Sequence, residues 1–242
     1  MQLLLDNLGL FLSGLGWTFR LAVATLLIAT VISAIVGTLS VTRSRVVRLI
    51  AIVYVEVFRD IPLLVNTLFV YFGAPLLGVP LDPFSAATVS FSLWGGANGA
   101  EIVRGGFNAV PHHQRVSAVA LGLKPWEIYW YVLAPQALLP MLPPFAGLFT
   151  LLVQATSLAS LVGVTEFFQV GQIVIERTTI TTGQSPAFFV YGGLLVTYYA
   201  ICSVLTTGTR WLERHIADRT ARLPKPARQL IVPGDVRPQE SV

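Results

Sequence analysis

Charge is what this chain has least of. Lysine, arginine, aspartate and glutamate make up 12% of its 242 residues, about half the roughly 25% usual in soluble domains. With a mean hydropathy of +0.71, that excludes an ordinary soluble domain and points to an integral membrane protein. The single cysteine, Cys202, lies in an apolar run, so neither a disulfide framework nor a thiolate metal site is available. Of the three histidines, His112 and His113 are adjacent and His215 is near the C-terminus. They form no metal-ligand set, and none lies in an apolar segment where it would serve a membrane-embedded serine as base. Gly95-Gly96 and Gly192-Gly193 lack the Lys-Ser or Lys-Thr that would make a phosphate cradle, so close helix packing is the simpler reading. No internal repeat is present, which removes support for an inverted-repeat carrier. No catalytic residue, metal or cofactor is expected.

What the chain does have is apolar length. Five segments are long enough to cross a hydrocarbon core of about 30 Å: approximately Trp17–Val41, Val46–Phe72, Ser85–Ile102, Phe145–Val164 and Phe188–Leu212. Asp6 precedes the first, with no basic n-region or small-residue cleavage site, so no signal peptide is expected. The basic residues alternate between connectors. Arg43, Arg45 and Arg48 lie in the first, none in the second, and Arg104, Arg115 and Lys124 in the third. The fourth has only Arg177, and the tail carries Arg210, Arg214, Arg219, Arg222, Lys225, Arg228 and Arg237. By the positive-inside rule the N-terminus is outside and the C-terminus cytoplasmic. Net charge of +4 is thus a matter of topology, and no nucleic-acid partner is expected. The expected organisation is an interfacial lead-in at 1–16, a membrane domain at 17–215, and a basic, disordered cytoplasmic tail at 216–242.

The stretch Glu101–Pro144 is neither span nor ordinary connector. A short helix around Ser117–Leu123 ends at Gly122, Lys124-Pro125-Trp126 breaks the chain, and a second amphipathic run stops at Pro135, Pro140, Pro143 and Pro144. A connector with its own helices needs a surface to dock on.

Three motifs carry a family resemblance. The first is YVEVFRDIPLLVN, Tyr54 to Asn66. The second begins with Ala100-Glu101-Ile102-Val103-Arg104-Gly105-Gly106 and continues through Val110-Pro111, Gln114, Ala118 and Ala120-Leu121-Gly122-Leu123 to Leu133-Ala134-Pro135-Gln136-Ala137-Leu138. The third is Thr156-Ser157-Leu158 followed by Gly163-Val164-Thr165-Glu166. Together they resemble the permease subunit of an ATP-binding-cassette importer for polar amino acids, over roughly residues 15 to 215. The resemblance implies an all-α membrane protein of five transmembrane helices with the type I importer permease fold. It implies a multi-pass protein of a bacterial inner membrane, working with a cytoplasmic ATPase dimer and a second permease subunit, the same chain or a sister. It also implies a periplasmic or lipid-anchored solute-binding protein, an amino acid substrate and surrounding membrane lipids. The loop at about 109–143 is similar to the ATPase-coupling loop, which makes Gln114, Arg115, Ser117, Ala118, Ala120, Leu121 and Gly122 the candidate docking residues. One departure stands out: where the family has glycine and glutamate, this chain has His113 and Val116.

Polar groups at membrane depth are costly and mark candidate pathway positions. These are Asn66, Glu101, Glu166 and Arg59, with Asn98 and Gln154 behind them. Glu56 and Arg59 at i and i+3, and likewise Glu101 and Arg104, are spaced to pair on one helix face. Each pair reads equally well as a packing device or as a substrate contact. Glu166 is expected at the outer rim, facing a delivering protein or a substrate amino group. An autonomous secondary carrier or channel for small polar solutes is the alternative.

Overall fold

The computed structural model describes residues 6–42 and 44–221, and every regular element among them is helical. Helix α1 spans Leu8–Ser40, α2 Arg45–Asp60, α3 Leu63–Gly73, α4 Pro83–Ala109 and α5 His112–Ala120. They are followed by α6 at Ala134–Ala155, α7 at Phe167–Thr182 and α8 at Ala187–Ala221. Two 3-10 turns, Ala74–Leu77 and Thr156–Val162, and a π-helical turn, Ile128–Leu133, lie between them.

Helix α1 is 33 residues long, about 50 Å at 1.5 Å per residue, and contains no proline. Nothing interrupts it at residue 16, so residues 8–16 of the expected lead-in continue the first span. The second expected span is two helices. Pro62 pushes Ile61 into an extended conformation (φ −79°, ψ 126°), and α2 and α3 meet there at a break. Helix α4 is capped by Asp82, whose carboxylate accepts the Ser85 amide at 3.1 Å. The Ser85 hydroxyl and amide hold that carboxyl below its ordinary pKa. Pro83 takes the first helical position, where its missing N–H costs nothing. The tail expected from 216 is helical to Ala221, and the rest of it lies outside the described residues.

Three stretches among the described residues are long and apolar enough to cross a membrane: Leu8–Ser40, Pro125–Val162 and Ala187–Leu212. The third expected span, α4, falls short for a physical reason. It is packed by α1, α3 and α6, so small and polar residues such as Ser90, Ser92, Gly95, Gly96 and Gly99 are buried in protein rather than facing lipid.

That burial centres on one stripe. Gly14, Thr18, Ala22, Thr25, Ala29, Ser33, Gly37 and Ser40 recur about every four residues on the buried face of α1, and small residues at this spacing let helix backbones approach closely. The opposing α4 surface is glycine. A Cβ at Gly99 would sit 2.0 Å from Ser33 Oγ, and one at Gly37 would sit 2.5 Å from Val103 Cβ. The Ser33 hydroxyl bonds its own Ala29 carbonyl at 2.6 Å and lies 3.3 Å from the Gly96 carbonyl across the seam. Leu21, Phe91, Leu148 and Leu152 fill the main core around it. A second cluster of Phe11, Phe167, Val170, Val174, Val190 and Leu194 joins α1, α7 and α8.

The expected stops at Pro140, Pro143 and Pro144 do not occur: all three lie inside α6. Their rings free the carbonyls of Gln136, Leu139 and Pro140, a loss that packed membrane helices tolerate because neighbours re-satisfy the backbone. The apolar helical stretch that holds the fourth expected span accordingly runs from Pro125 to Val162 rather than beginning at Phe145.

Overpacking a tight helix seam costs about 1–3 kcal/mol, so Gly99→Ala should lower the thermal midpoint of the detergent-purified protein by several degrees. Gly105→Ala, one and a half turns on and facing open space, should leave it unchanged or slightly raised. Equal midpoints for both variants would remove the seam from its central place.

Candidate functional site

The connector between α4 and α6 is built as a small folded unit. Helix α5 ends at a turn in which Gly122 adopts φ +79°, a left-handed conformation that glycine takes at no steric cost. Its amide bonds the Val119 carbonyl, and the Leu123 amide reaches back to Ala118, both near 3 Å. Lys124 N–H donates to Glu127 Oε2 at 2.7 Å, restarting the helix at Pro125. Tyr129 Oη donates to Thr38 Oγ1 at 3.0 Å and its ring stacks on Phe107 at 4.6 Å, so the unit is pinned to the ends of both α1 and α4.

The seven loop residues singled out in the sequence fall on two faces. Ala118 is buried, and Gln114 is half-buried and accepts from Gln136 Nε2 at 3.5 Å. Arg115, Ser117, Ala120, Leu121 and Gly122 are exposed. Val116 and Val119 join them, more than half exposed, and Leu121 is 80% exposed. These apolar side chains are left uncovered at the protein's edge rather than packed into a core.

A second constellation lies where α2 meets α4. Glu101 takes Arg104 on its own helix and Arg59 across the interface, the latter at 3.8 Å. The expected Glu56–Arg59 pair is absent among the described residues, and Glu56 is exposed. Arg59 instead reaches a carboxylate on the neighbouring helix. Ser40, Glu56, Arg59, Glu101 and Arg104 line a cavity of about 90 Å³. With a third or more of each ion-paired side chain exposed, the pairs contribute little to stability, about 0–1 kcal/mol.

The two remaining candidates are enclosed. Asn66 is buried on α3, with Nδ2 3.4 Å from the Ser90 carbonyl, beside a Thr67–Ser90 hydroxyl pair at 3.0 Å. Asn98 donates to Trp94 O on its own helix at 2.9 Å, while Gln154 is exposed. Glu166, expected at an open rim, is fully buried. Its carboxylate caps α7, accepting the Phe168 and Gln169 amides at 2.8 Å each, and also receives Tyr198 Oη at 3.0 Å and Thr18 Oγ1 at 3.4 Å. Thr18 Oγ1 in turn accepts the Phe167 amide at 3.1 Å. In this conformation Glu166 has no free face for a substrate or a delivering protein; it ties α1, α7 and α8 together.

A family model described as the binding-protein-dependent transport system inner membrane component matches residues 29–222. The chain belongs to this family. It is 32% identical over 209 residues to the glutamine transport system permease protein GlnP of Escherichia coli strain K12, covering 86% of this chain and 93% of that one. It is 29% identical to the L-cystine transport system permease protein TcyB of Bacillus subtilis strain 168, covering 84% and 85%. The fold matches a crystal structure of an amino acid ABC transporter with histidines, at a TM-score of 0.79 and 24% identity over 88% of this chain and 96% of that one. An inward-facing structure of the MetNI methionine ABC transporter matches at a TM-score of 0.72 and 18% identity, over 87% and 98%. This permease therefore has the type I importer permease fold in a multi-pass inner membrane protein. As a member of this family it is a transport component, with ATP hydrolysis on a separate chain.

Sequence reasoning missed Thr18 and Tyr198 as partners of Glu166. An acid immediately before the apolar run of α7 was the available sign of a helix cap. Removing the carboxylate leaves two amides and two hydroxyls short of an acceptor, each costing about 1–3 kcal/mol when buried. Glu166→Ala should therefore lower the thermal midpoint of the purified permease strongly, and Glu166→Gln, which keeps one acceptor oxygen, should lower it less. Unchanged midpoints with an altered transport KM would make Glu166 a substrate contact instead.

Proposed function

We propose that this permease is the membrane-spanning subunit of an ATP-driven, binding-protein-dependent importer for polar amino acids. The observation that carries the proposal is the solvent-facing apolar surface of α5, Val116, Val119 and Leu121, on a helix pinned from behind to α1 and α4. Val119 and Leu121 enter the groove of a cytoplasmic ABC ATPase, and Arg115 and Ser117 flank them. Val116 stands where the family's glutamate does, so docking here relies on apolar contact at that position. Relatives named for glutamine and cystine transport support a polar amino acid as cargo.

The chain crosses the membrane five times, with α2 and α3 together forming one crossing and α4 a shielded one. Its N-terminus lies outside and its C-terminus in the cytoplasm, which places α5 on the side where ATP is available. A second permease subunit, identical or a sister, completes the pathway, and a solute-binding protein delivers the substrate. Glu101 and Arg59, beside a cavity, face the pathway and offer both charges that a zwitterion needs. Asn66 acts from behind them, holding α3 against α4. ATP-driven closure of the ATPases moves the two α5 helices together and rocks the spans between inward- and outward-facing states, a rigid-body mode of switching.

Two measurements test this. Deleting the gene of the partner ATPase should abolish amino acid uptake; uptake that persists means an autonomous carrier or channel. A Val119→Glu/Leu121→Glu variant should insert and purify normally but recover at least tenfold less ATPase in a pull-down, since about 1.4 kcal/mol of lost binding is already tenfold. Full ATPase recovery would move the docking face elsewhere.

A further inference from the structure

The ends of α1 and α4, the first turn of α2 and the α5 connector line a half-open cleft of about 700 Å³, a size that holds a drug-sized ligand. Three arginines from three elements line it: Arg48 of α2, Arg104 of α4 and Arg115 of α5. No acid lines it among the described residues. Arg104 is balanced by Glu101 in the adjoining smaller cavity, whereas neither Arg48 nor Arg115 makes an ion pair among the described residues. The arginines are not there merely to serve helix ends. The last turn of α1 closes on itself through Val41 N–H to Thr38 O and Thr42 N–H to Leu39 O, and that of α4 through Val110 N–H to Phe107 O, all at 3.3 Å.

We infer that this cavity binds the phosphate of an anionic phospholipid from the cytoplasmic leaflet; the leaflet, though not the site, rests on the orientation proposed above. Arginine presents paired N–H donors in the geometry of phosphate oxygens, and two arginines here lack a protein counter-charge. One wall is Trp126, Tyr129 and Trp130, the residue types that sit at headgroup height. Leu39, Ile52 and Leu133 line the same space and give the glycerol and upper acyl chains an apolar surface. A basic pocket between membrane helices at the cytoplasmic side is the expected form of an anionic-headgroup site. Because its wall is the α5 connector itself, occupancy braces the face that meets the ATPase.

The test is native mass spectrometry of the full chain, purified in mild detergent, stripped of lipid and re-supplied with phosphatidylglycerol, phosphatidylcholine or inorganic phosphate. Wild type should retain phosphatidylglycerol at least fivefold over phosphatidylcholine. Arg48→Gln/Arg115→Gln should lose that preference, and Arg48→Lys/Arg115→Lys, which keeps the charge, should retain most of it; both variants must elute as the wild type does in gel filtration. Inorganic phosphate in tenfold excess that displaces the lipid completely would make this a free-phosphate site and overturn the proposal. So would equal retention of both lipids. Unchanged lipid retention in the glutamine variant with lost ATPase recovery would assign the arginines to the ATPase. None of these outcomes depends on what the importer carries.

Discussion

The rest of the molecule depends on how closely α1 and α4 can approach. Gly37 faces Val103, Ser33 faces Gly99 and Ile32 faces Gly96 with no room for a further carbon at the glycines, so the seam is set by side chains of one helix seated directly on glycines of the other. In lipid there is no hydrophobic drive to bring two helices together, and van der Waals contact across small residues replaces it. Helix α4 thereby becomes the central post: α1, α2, α3 and α6 all pack on it. Ser90 is carried within this helix because it is covered by protein, while Glu101 and Arg104 stay partly exposed beside a cavity.

Polar groups inside the bundle follow the same logic. Several of those that are fully buried are spoken for, Glu166 by two amides and two hydroxyls and Thr67 and Asn66 by Ser90, whereas the Thr25 and Ser92 hydroxyls have no partner among the described residues. Those left partly exposed, Arg59, Glu101 and Arg104, border cavities. Satisfied groups fix geometry, and a group that is both polar and open is free to exchange partners, which is what a translocation path requires. The distinction separates the four pathway candidates into two pairs that no property of the sequence alone distinguishes.

Much of the architecture was legible in the sequence, because a span needs only length and apolarity, and Gly122 announced its left-handed turn by the helix before it and Lys124-Pro125 after it. Where the sequence misled, a competing interaction lay on another element. Glu56 and Arg59 have ideal spacing to pair, yet Glu101 of α4 is the acid Arg59 reaches. Glu166 looked like an exposed charge until Thr18, 148 residues earlier, and Tyr198 closed over it. The prolines of α6 read as stops because each removes an N–H donor and crowds the carbonyl four residues back; membrane helices tolerate such prolines where other groups re-satisfy the freed backbone. The break at Pro62 obeys the ordinary rule that the residue before proline leaves the helical region, and it was concealed because the segment from Val46 to Phe72 is, taken as a whole, long and apolar enough to read as one span.

The link between the exposed face of α5 and the long helices also follows from connectivity. Helix α5 rests on the π-helical turn Ile128–Leu133, and that turn runs without a break into α6. The α5 connector therefore has a direct covalent route into α6, through a turn whose hydrogen bonds are off the regular ladder. Helix α6 meets α4 through Ala137 and Met141 and again at Leu152, and Pro140, Pro143 and Pro144 between the first and last of these contacts each remove one restraint on bending. The rigid seam between α1 and α4 and the compliant lead into α6 are thus complementary. One holds the bundle's frame fixed, and the other lets displacement at the protein's edge become a change of angle inside it.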